Sequence, residues 1–213
     1  MSTDLGFVHR WVPGSRPGAP VLLLLHGTGG NEDDLLSLGE LLWPGAGMLS
    51  PRGQVLEHGA PRFFRRLAEG VFDIADLHAR ADDLARFVDA AAATYGFAPG
   101  SAIAVGYSNG ANIASAAMLR HPSLLRGAVL FRGMVPFEPG SPVSLGGAKV
   151  LLSNGRRDPI VPATQVTRLT EILRAAGAEV TVELQEAGHE LTREAVDGAR
   201  DWLRAGFGAS AAD

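Results

Sequence analysis

The sequence lacks cysteine, long apolar runs and any strong excess of charge. Its 213 residues include no cysteine, which excludes disulfide bonds, cysteine nucleophiles and zinc–thiolate sites. That absence fits a reducing compartment, so we expect a cytoplasmic location. Residues 1–20 hold no apolar stretch typical of a signal peptide, and the aliphatic run at 21–25 is too short to span a membrane. We therefore expect no stable membrane anchor.

The remaining totals describe an ordinary globular chain. The net charge of −4 is mild, which argues against a nucleic-acid partner or a basic membrane-binding face. Hydrophobic residues make up 46% and charged residues 20% of the chain. The length suits one domain with a sizeable core, and we predict a single domain over residues 1–213.

Short apolar runs alternate along the chain with longer segments of helical periodicity. The predicted strands are an edge strand at 7–12, a short strand at 48–50, and buried strands at 21–25, 103–105, 127–131, 149–153 and 180–184. A long amphipathic helix is predicted over 76–95. This alternation is typical of an α/β fold, with a mostly parallel sheet flanked by helices on both faces.

A helix is also predicted to begin at Asn31, which is a good N-cap residue. Glu32, Asp33 and Asp34 would then lie in its first turn, where acidic groups favour the helix dipole. The alternative for this acidic cluster is a metal site, but dipole compensation already explains it. We therefore expect no metal.

Two long segments show no clear period. Residues 52–75 are predicted to be a loop that forms one wall of a substrate cleft, and residues 132–148 are a loop rich in proline and glycine. Phe63, Phe64, Phe72 and Met134 are the predicted apolar lining of the cleft. The alternative for the phenylalanines is that they anchor the loop in the core.

Residues 103–114, with the sequence IAVGYSNGANIA, carry the strongest motif. Gly106 to Gly110 read G-x-S-x-G between a predicted strand and a predicted helix. The glycines leave room for the strand and helix to pass closely. Ser108 is then predicted to adopt a strained backbone with its hydroxyl exposed, as a nucleophile requires. The alternative is a serine in an ordinary strand–helix loop.

Four polar segments each follow a predicted strand: residues 26–29, Ser108, Asp158 and His189. In a parallel sheet the carboxyl ends of the strands lie at one edge, so these segments are expected to meet there. A serine hydroxyl needs a base to take its proton and a third group to hold that base. The order Ser108, Asp158, His189 supplies all three.

The choice of base and acid is a matter of elimination. His189 is the one histidine of six that follows the acid in a loop between the last strand and the last helix. Asp158 follows a strand and begins a turn fixed by proline, although it could be only a turn residue. Asp73, Asp76 and Glu138 are weaker rivals.

The turn at His26 to Gly29 and the start of the serine helix carry the expected oxyanion donors. The backbone N–H groups of Thr28 and Asn109 are predicted to stabilise a negative charge that develops on a substrate oxygen. His26 itself is expected to be a structural histidine at the end of a strand.

The motifs resemble those of the α/β-hydrolases of the phospholipase/carboxylesterase group, small esterases without a large lid that include acyl-protein thioesterases. The resemblance covers nearly the whole chain, through LLHGTGG, GYSNG, NGRRDPIVP and AGHELT. It implies the α/β-hydrolase fold, with Ser108 as nucleophile, Asp158 as acid, His189 as base, and Thr28 and Asn109 as the oxyanion hole. Members of the group are often homodimers, a state that this sequence neither supports nor excludes.

Two longer segments resemble one bacterial branch of the group. SPRGQVLEHGAPRFFRR and EGVFDIADL are similar to a branch of carboxylesterases, some of them associated with hydroquinone or quinone stress. Asn109 stands where acyl-protein thioesterases usually have glutamine, and the RFFRR segment differs as well. Depalmitoylation is therefore not carried over to this chain.

The expected function is a serine carboxylesterase acting on small esters of short to medium acyl chain, with no cofactor. Rivals of the same fold are a thioesterase, a lysophospholipase and a lactone or dienelactone hydrolase. A peptidase is weaker, because no charged side-chain pocket is evident. The rival from another class is a non-catalytic binding module of the same fold, but such modules usually lose a triad member.

Overall fold

A seven-stranded sheet lies between two layers of helices in the computed structural model, which describes residues 5–16 and 18–208. The strands are β1 (His9–Val12), β2 (Val21–Leu25), β3 (Gly47–Pro51), β4 (Val55–Glu57), β5 (Ala60–Arg62), β6 (Arg66–Ala68), β7 (Val71–Phe72), β8 (Ile103–Tyr107), β9 (Gly127–Phe131), β10 (Lys149–Gly155) and β11 (Glu179–Gln185). The helices are α1 (Leu36–Leu42), α2 (Ile74–Tyr95), α3 (Asn109–Arg120), α4 (Ala163–Ala175) and α5 (Arg193–Phe207). None of the helices in these residues is both long enough and apolar enough to cross a membrane.

The main sheet has the order β1-β3-β2-β8-β9-β10-β11, and only β1 pairs antiparallel with its neighbour. Successive residues of β2 pack on opposite faces. Leu23 and Leu25 join the core cluster beneath α2, α3 and α4, whereas Leu22 and Leu24 join the cluster beneath α1 and α5. A strand covered on both faces must be continuously apolar, which is why β2 reads VLLLL. The predicted α/β fold with helices on both faces is confirmed.

The prediction of an irregular loop over residues 52–75 is wrong, because most of this segment forms two antiparallel hairpins. β4 pairs with β5, and β6 pairs with β7. The first hairpin turns at His58 and Gly59, whose φ angles of 51° and 84° suit a two-residue turn between twisted strands. Strands of two or three residues are too short to show an alternating pattern, so the sequence carried no usable signal. Residues 132–148 contain no helix or strand, as predicted.

The prediction that Asn31 caps a helix is also wrong, because α1 begins at Leu36 without a side-chain cap. The side chain of Asn31 instead accepts the Asp33 N–H at 2.8 Å and closes a local turn. Glu32 is buried and receives two hydrogen bonds from Arg52, at 2.5 and 2.7 Å. Glu32 and Asp33 therefore serve ion pairing, with Arg52 and Arg10, and none of the acids lies in the first turn of α1.

Candidate active site

Ser108 stands on a sharp turn between β8 and α3. Its φ of 52° and ψ of −112° are strained for a residue with a side chain. The two glycines of the motif make this turn feasible. A Cβ on Gly106 would lie 2.5 Å from the Gly110 carbonyl oxygen, and a Cβ on Gly110 would collide with the Leu25 carbonyl oxygen. The strand and the helix pass too closely for any other residue at these positions.

Ser108, His189 and Asp158 form a continuous chain of hydrogen bonds. His189 Nε2 lies 2.9 Å from Ser108 Oγ, and His189 Nδ1 lies 2.8 Å from Asp158 Oδ2. A carboxylate can only accept, so Nδ1 carries the proton and Nε2 presents its lone pair to the serine hydroxyl. This is the arrangement in which an imidazole can remove the proton of a nucleophile.

Asp158 is held by its own turn. Its side chain is fully buried, and Oδ1 accepts the N–H groups of Ile160 at 2.8 Å and Val161 at 3.1 Å. One carboxylate oxygen is thus bound by the backbone, and the other is left for His189. The sequence allowed Asp158 to form the turn, to hold the histidine, or to do both, and the geometry combines the two roles.

The rival acids are occupied elsewhere. Asp73 caps α2 by accepting the Asp76 N–H at 3.1 Å. Asp76 itself accepts the Arg65 N–H at 2.7 Å, and Glu138 pairs with Arg168 at 2.7 Å. None of these three carboxylates is bonded to a histidine in the described part of the chain.

Two side chains that were not predicted from the sequence hold the loop that carries His189 in place. Tyr107 Oη donates to the His189 carbonyl oxygen at 2.9 Å. Arg132 donates to the Glu190 carbonyl oxygen from Nη2 at 2.7 Å and from Nε at 3.2 Å. Both side chains leave the ends of neighbouring strands, β8 and β9. They hold the backbone of His189 and of the residue that follows it in place.

Arg132 is fully buried, although arginine is rarely buried without a carboxylate partner. Its Nη1 donates to the Ser153 carbonyl oxygen and to Gln185 Oε1, each at 3.0 Å. Burial lowers the pKa of its guanidinium. The only sequence signal for this role was an arginine directly after a buried strand.

The turn that holds Thr28 is tied to β5, and the residue that follows β5 contacts the start of α3. Gly29 N–H donates to the Pro61 carbonyl oxygen at 2.8 Å, and Arg62 Nη1 donates to Thr28 Oγ1 at 2.7 Å. Phe63 N–H donates to Asn109 Oδ1 at 2.7 Å. Residues 61–63 therefore contact both segments that carry the predicted oxyanion donors.

The backbone N–H groups of Thr28 and Asn109 have no hydrogen-bond acceptor within residues 5–16 and 18–208. Both residues border the cleft beside Ser108. Unpaired N–H groups beside a nucleophile are able to bind a substrate oxygen that becomes negatively charged. Their assignment as an oxyanion hole stays a prediction.

His26 is buried beneath the same turn, as expected for a structural histidine. Gly53 N–H donates to its Nε2 at 2.9 Å, so Nδ1 carries the proton and donates to the Gly27 carbonyl oxygen at 2.7 Å. This pair of bonds requires the neutral ring. Burial is the main cause of the lowered pKa of His26.

A cleft of about 240 Å³ opens above Ser108. Of the four predicted lining residues, Phe72 and Met134 border it and Phe63 and Phe64 do not. Phe63 packs in the core with its ring 4.7 Å from the His26 ring, and Phe64 is fully buried. These two phenylalanines match the alternative interpretation, that they anchor their segment in the core.

The rest of the cleft combines apolar and charged residues. Its other lining residues are Thr28, Arg62, Arg66, Glu69, Gly70, Tyr107, Ser108, Asn109, Asn112, Arg132, Ile160, Val161 and His189. A groove of about 450 Å³ lies beside α4, but none of its lining residues belongs to the hydrogen-bonded chain of Ser108. The smaller cleft is therefore the candidate site. Its charged lining was not predicted.

The chain is similar to several known proteins. The chain is 47% identical over 184 residues to MhqD of Bacillus subtilis (strain 168), a hydrolase by its name, covering 86% of this chain and 92% of that protein. The carboxylesterase structure from Bacillus cereus has a TM-score of 0.93 and 44% identity, with 96% of each chain covered. The structure of YahD with malic acid has a TM-score of 0.88 and 32% identity, covering 93% of this chain and 98% of that chain.

A sequence profile of the phospholipase/carboxylesterase family matches residues 67–206, which include Ser108, Asp158 and His189. The turn at Thr28 lies before the matched range, whereas the similarity to the Bacillus cereus structure covers 96% of the chain. Fold, sequence profile and relatives thus agree. The chain belongs to the phospholipase/carboxylesterase family of hydrolases.

Proposed function

We propose that the protein is a serine carboxylesterase that hydrolyses small carboxylic esters of short to medium acyl chain. The observation that carries this proposal is the unbroken chain of hydrogen bonds from Ser108 through His189 to Asp158 beside an open cleft. Membership of a hydrolase family supports the reaction class. The small volume of the cleft favours small substrates.

The reaction proceeds in two halves. His189 Nε2 takes the proton of Ser108 Oγ as the serine oxygen attacks the ester carbonyl carbon, and the carbonyl oxygen becomes an oxyanion bound by the Thr28 and Asn109 N–H groups. The C–O bond to the alcohol then breaks, and the proton on His189 passes to the leaving alkoxide. An acyl-enzyme on Ser108 remains.

Water completes the cycle. His189 Nε2 removes a proton from a water molecule whose oxygen attacks the acyl carbonyl carbon. The bond between that carbon and Ser108 Oγ breaks, and the proton returns to the serine. Asp158 holds the imidazole in its working tautomer and stabilises the imidazolium that forms twice in each cycle. These steps use only side chains, backbone N–H groups and water.

The test is active-site labelling with a fluorophosphonate probe, followed by turnover of a p-nitrophenyl ester series of increasing acyl length. The wild type should be labelled, and the Ser108→Ala variant should not. Turnover should be highest for short acyl chains and should fall as the chain outgrows the cleft. Equal labelling of both proteins would remove Ser108 as the nucleophile.

A thioesterase and a lysophospholipase are the alternatives of the same fold. Matched ester and thioester substrates of one acyl chain separate the first, and a lysophospholipid added to the panel separates the second. YahD was solved with malic acid, so esters that carry a free carboxylate belong in the panel as well. A protein that binds such compounds without turning any over would instead be a binding module.

A further inference from the structure

Two arginines border the cleft beside the proposed oxyanion turn. Arg62 is buried, with 4% of its side chain exposed, and its Nη1 contacts Thr28 Oγ1 at 2.7 Å. Arg66 lies further out, with 33% of its side chain exposed. The proposed hydrolysis uses neither guanidinium. A buried arginine and a half-exposed arginine in one small cleft therefore call for a separate explanation.

Both side chains have hydrogen-bond donors that no described residue accepts. Arg66 uses Nε on Glu57 at 2.9 Å, and its two terminal nitrogens make no hydrogen bond within the described residues. Arg62 uses Nε on the Phe64 carbonyl oxygen and Nη1 on Thr28 and Glu57, whereas its Nη2 is unpaired within the same residues. A guanidinium presents five N–H donors in a planar fork that suits a carboxylate.

The carboxylates near these arginines leave several guanidinium donors unpaired. Glu57 lies behind the cleft wall and pairs with both cations, at 3.2 Å to Arg62 and 2.9 Å to Arg66. Glu69 is exposed at the turn of the second hairpin and forms no ion pair within the part of the chain that the structure describes. Glu69 also borders the cleft, so two carboxylates match the two guanidinium charges, but the terminal nitrogens of Arg66 pair with neither carboxylate.

Resting on the proposed esterase function, we propose that the cleft selects esters that carry a second, free carboxylate, such as half-esters of short dicarboxylic acids. Arg66 and Arg62 bind the free carboxylate while the ester carbonyl lies at Ser108. Arg62 contacts the turn that carries the Thr28 N–H, so a short spacer joins the two ends of the substrate. Met134, Ile160 and Val161 offer apolar surface for that spacer.

The experiment compares monomethyl glutarate with its neutral amide counterpart, methyl glutaramate, by pH-stat titration of the acid released. In the wild type, kcat/KM should be at least about tenfold higher for the carboxylate, since a charge-assisted hydrogen bond contributes this much or more. Arg66→Gln should bring the ratio close to one. The ratio within one protein is insensitive to partial loss of folded enzyme.

Arg65→Gln is the matched control. Arg65 is the neighbouring residue, 61% of its side chain is exposed, and it pairs with Asp73 at 2.9 Å outside the cleft. It removes the same charge from the same segment and should leave the ratio at its wild-type value. A ratio that falls equally in both variants would point to the general field of the protein and would overturn the assignment to Arg66.

Two failures are distinguishable. If the wild type hydrolyses both esters with a ratio near one, the carboxylate subsite is wrong and the esterase proposal stands. If the wild type hydrolyses no ester, the esterase proposal is wrong, and calorimetric titration with glutarate decides the subsite alone. Binding to the wild type that Arg66→Gln abolishes and Arg65→Gln preserves would support the subsite, and its absence would overturn it.

Discussion

The two halves of the candidate site are built from different kinds of structure. The acid–base half, Ser108, Asp158 and His189, stands on loops that follow β8, β10 and β11 of the main sheet. The proposed oxyanion half, Thr28 and Asn109, also begins at the sheet, but residues 61–63 of an added hairpin segment hold it from outside. The first half is positioned mainly by a buried core, and the second depends also on a few polar contacts.

This difference indicates how each half should respond to mutation. Parallel strands packed on both faces cannot shift without disturbing two hydrophobic clusters. The hairpin segment can shift when a single hydrogen bond is lost, because its strands are three residues long or shorter. We therefore expect substitutions that remove a reacting group from the acid–base half to lower kcat most. Substitutions that remove a contact supporting the proposed oxyanion half should lower kcat less.

Asp158→Asn should have the largest effect on the acid–base half. An amide at this position favours the wrong imidazole tautomer, and kcat should fall by about 10⁴-fold with little change in fold. Asp73→Asn is the control, because Asp73 caps α2 and is not bonded to a histidine. Steady-state kinetics on a short p-nitrophenyl ester measures both. A larger loss of kcat in Asp73→Asn than in Asp158→Asn would show that Asp158 is not the acid.

Arg132→Met tests whether the hydrogen bonds from Arg132 hold the loop that carries His189 in place. The change leaves the Glu190 carbonyl oxygen without its donor and removes the side-chain bonds to the Ser153 carbonyl oxygen and Gln185 Oε1, so we expect a loss of about 2 kcal/mol or more in the free energy of unfolding. Displacement of the imidazole should lower kcat by about 100-fold, with a smaller change in KM. Urea denaturation and kinetics give the two values.

Arg157→Met is the matched control for that experiment. Arg157 also donates to a carbonyl oxygen, that of Glu186 at 2.7 Å, but it does so at the surface. It should retain nearly wild-type turnover. If Arg132→Met also retains wild-type kcat, the loop keeps its position without the buried arginine.

Asn109→Ala tests the support of the oxyanion half. The backbone N–H remains, but the bond from Phe63 N–H to the side chain is lost. We expect kcat to fall by about tenfold, less than the loss typical of a deleted oxyanion donor. Amide hydrogen exchange at Phe63 should accelerate. Gln54→Ala, an exposed amide in the same segment, is the control and should change neither quantity.

His26→Gln should have the smallest effect, and it concerns stability. The pKa of His26 is lowered by burial from its ordinary value of 6.5, so unfolding takes up a proton as the solution is acidified. The stability is complete above that value and is lost as the pH falls below it. Asp34 and Glu32 oppose the shift, and Arg52 adds to it.

The measurement is the free energy of unfolding of wild type and variant between pH 7.5 and 5. The wild type should lose more stability on acidification than His26→Gln. His78, whose pKa is also lowered by burial, contributes equally to both proteins and cancels in the comparison. His58→Asn, at the exposed hairpin turn, should behave as the wild type does. Parallel curves for wild type and His26→Gln would contradict the prediction.

The elements with long-range periodicity were predictable from the sequence. Continuous apolar runs predict β2 and β9, and a repeating apolar stripe predicts α2, because burial on one or two faces dictates those patterns. The motif around Ser108 was predictable for a different reason. Its glycines are required by the close approach of strand and helix, so they mark the turn wherever it occurs.

Elements held by a few specific contacts were not predictable. The hairpins of residues 55–72 are too short to carry a period. A pair of aromatic residues does not indicate which way the chain turns, so the prediction that Phe63 and Phe64 line the cleft is wrong, and both lie in the core. Arg132 was overlooked because a charged residue is expected at the surface.

The sequence by itself determined the α/β class, the serine turn and the order of Ser108, Asp158 and His189, since periodicity, backbone sterics and chain order are local or linear properties. Only the tertiary structure decided how the site is held and lined. The grip of Arg132 on Glu190, the contacts of residues 61–63 with Thr28 and Asn109, and the arginines at the cleft all join residues distant in the chain. Such contacts depend on the packing of the whole sheet, which no single segment encodes.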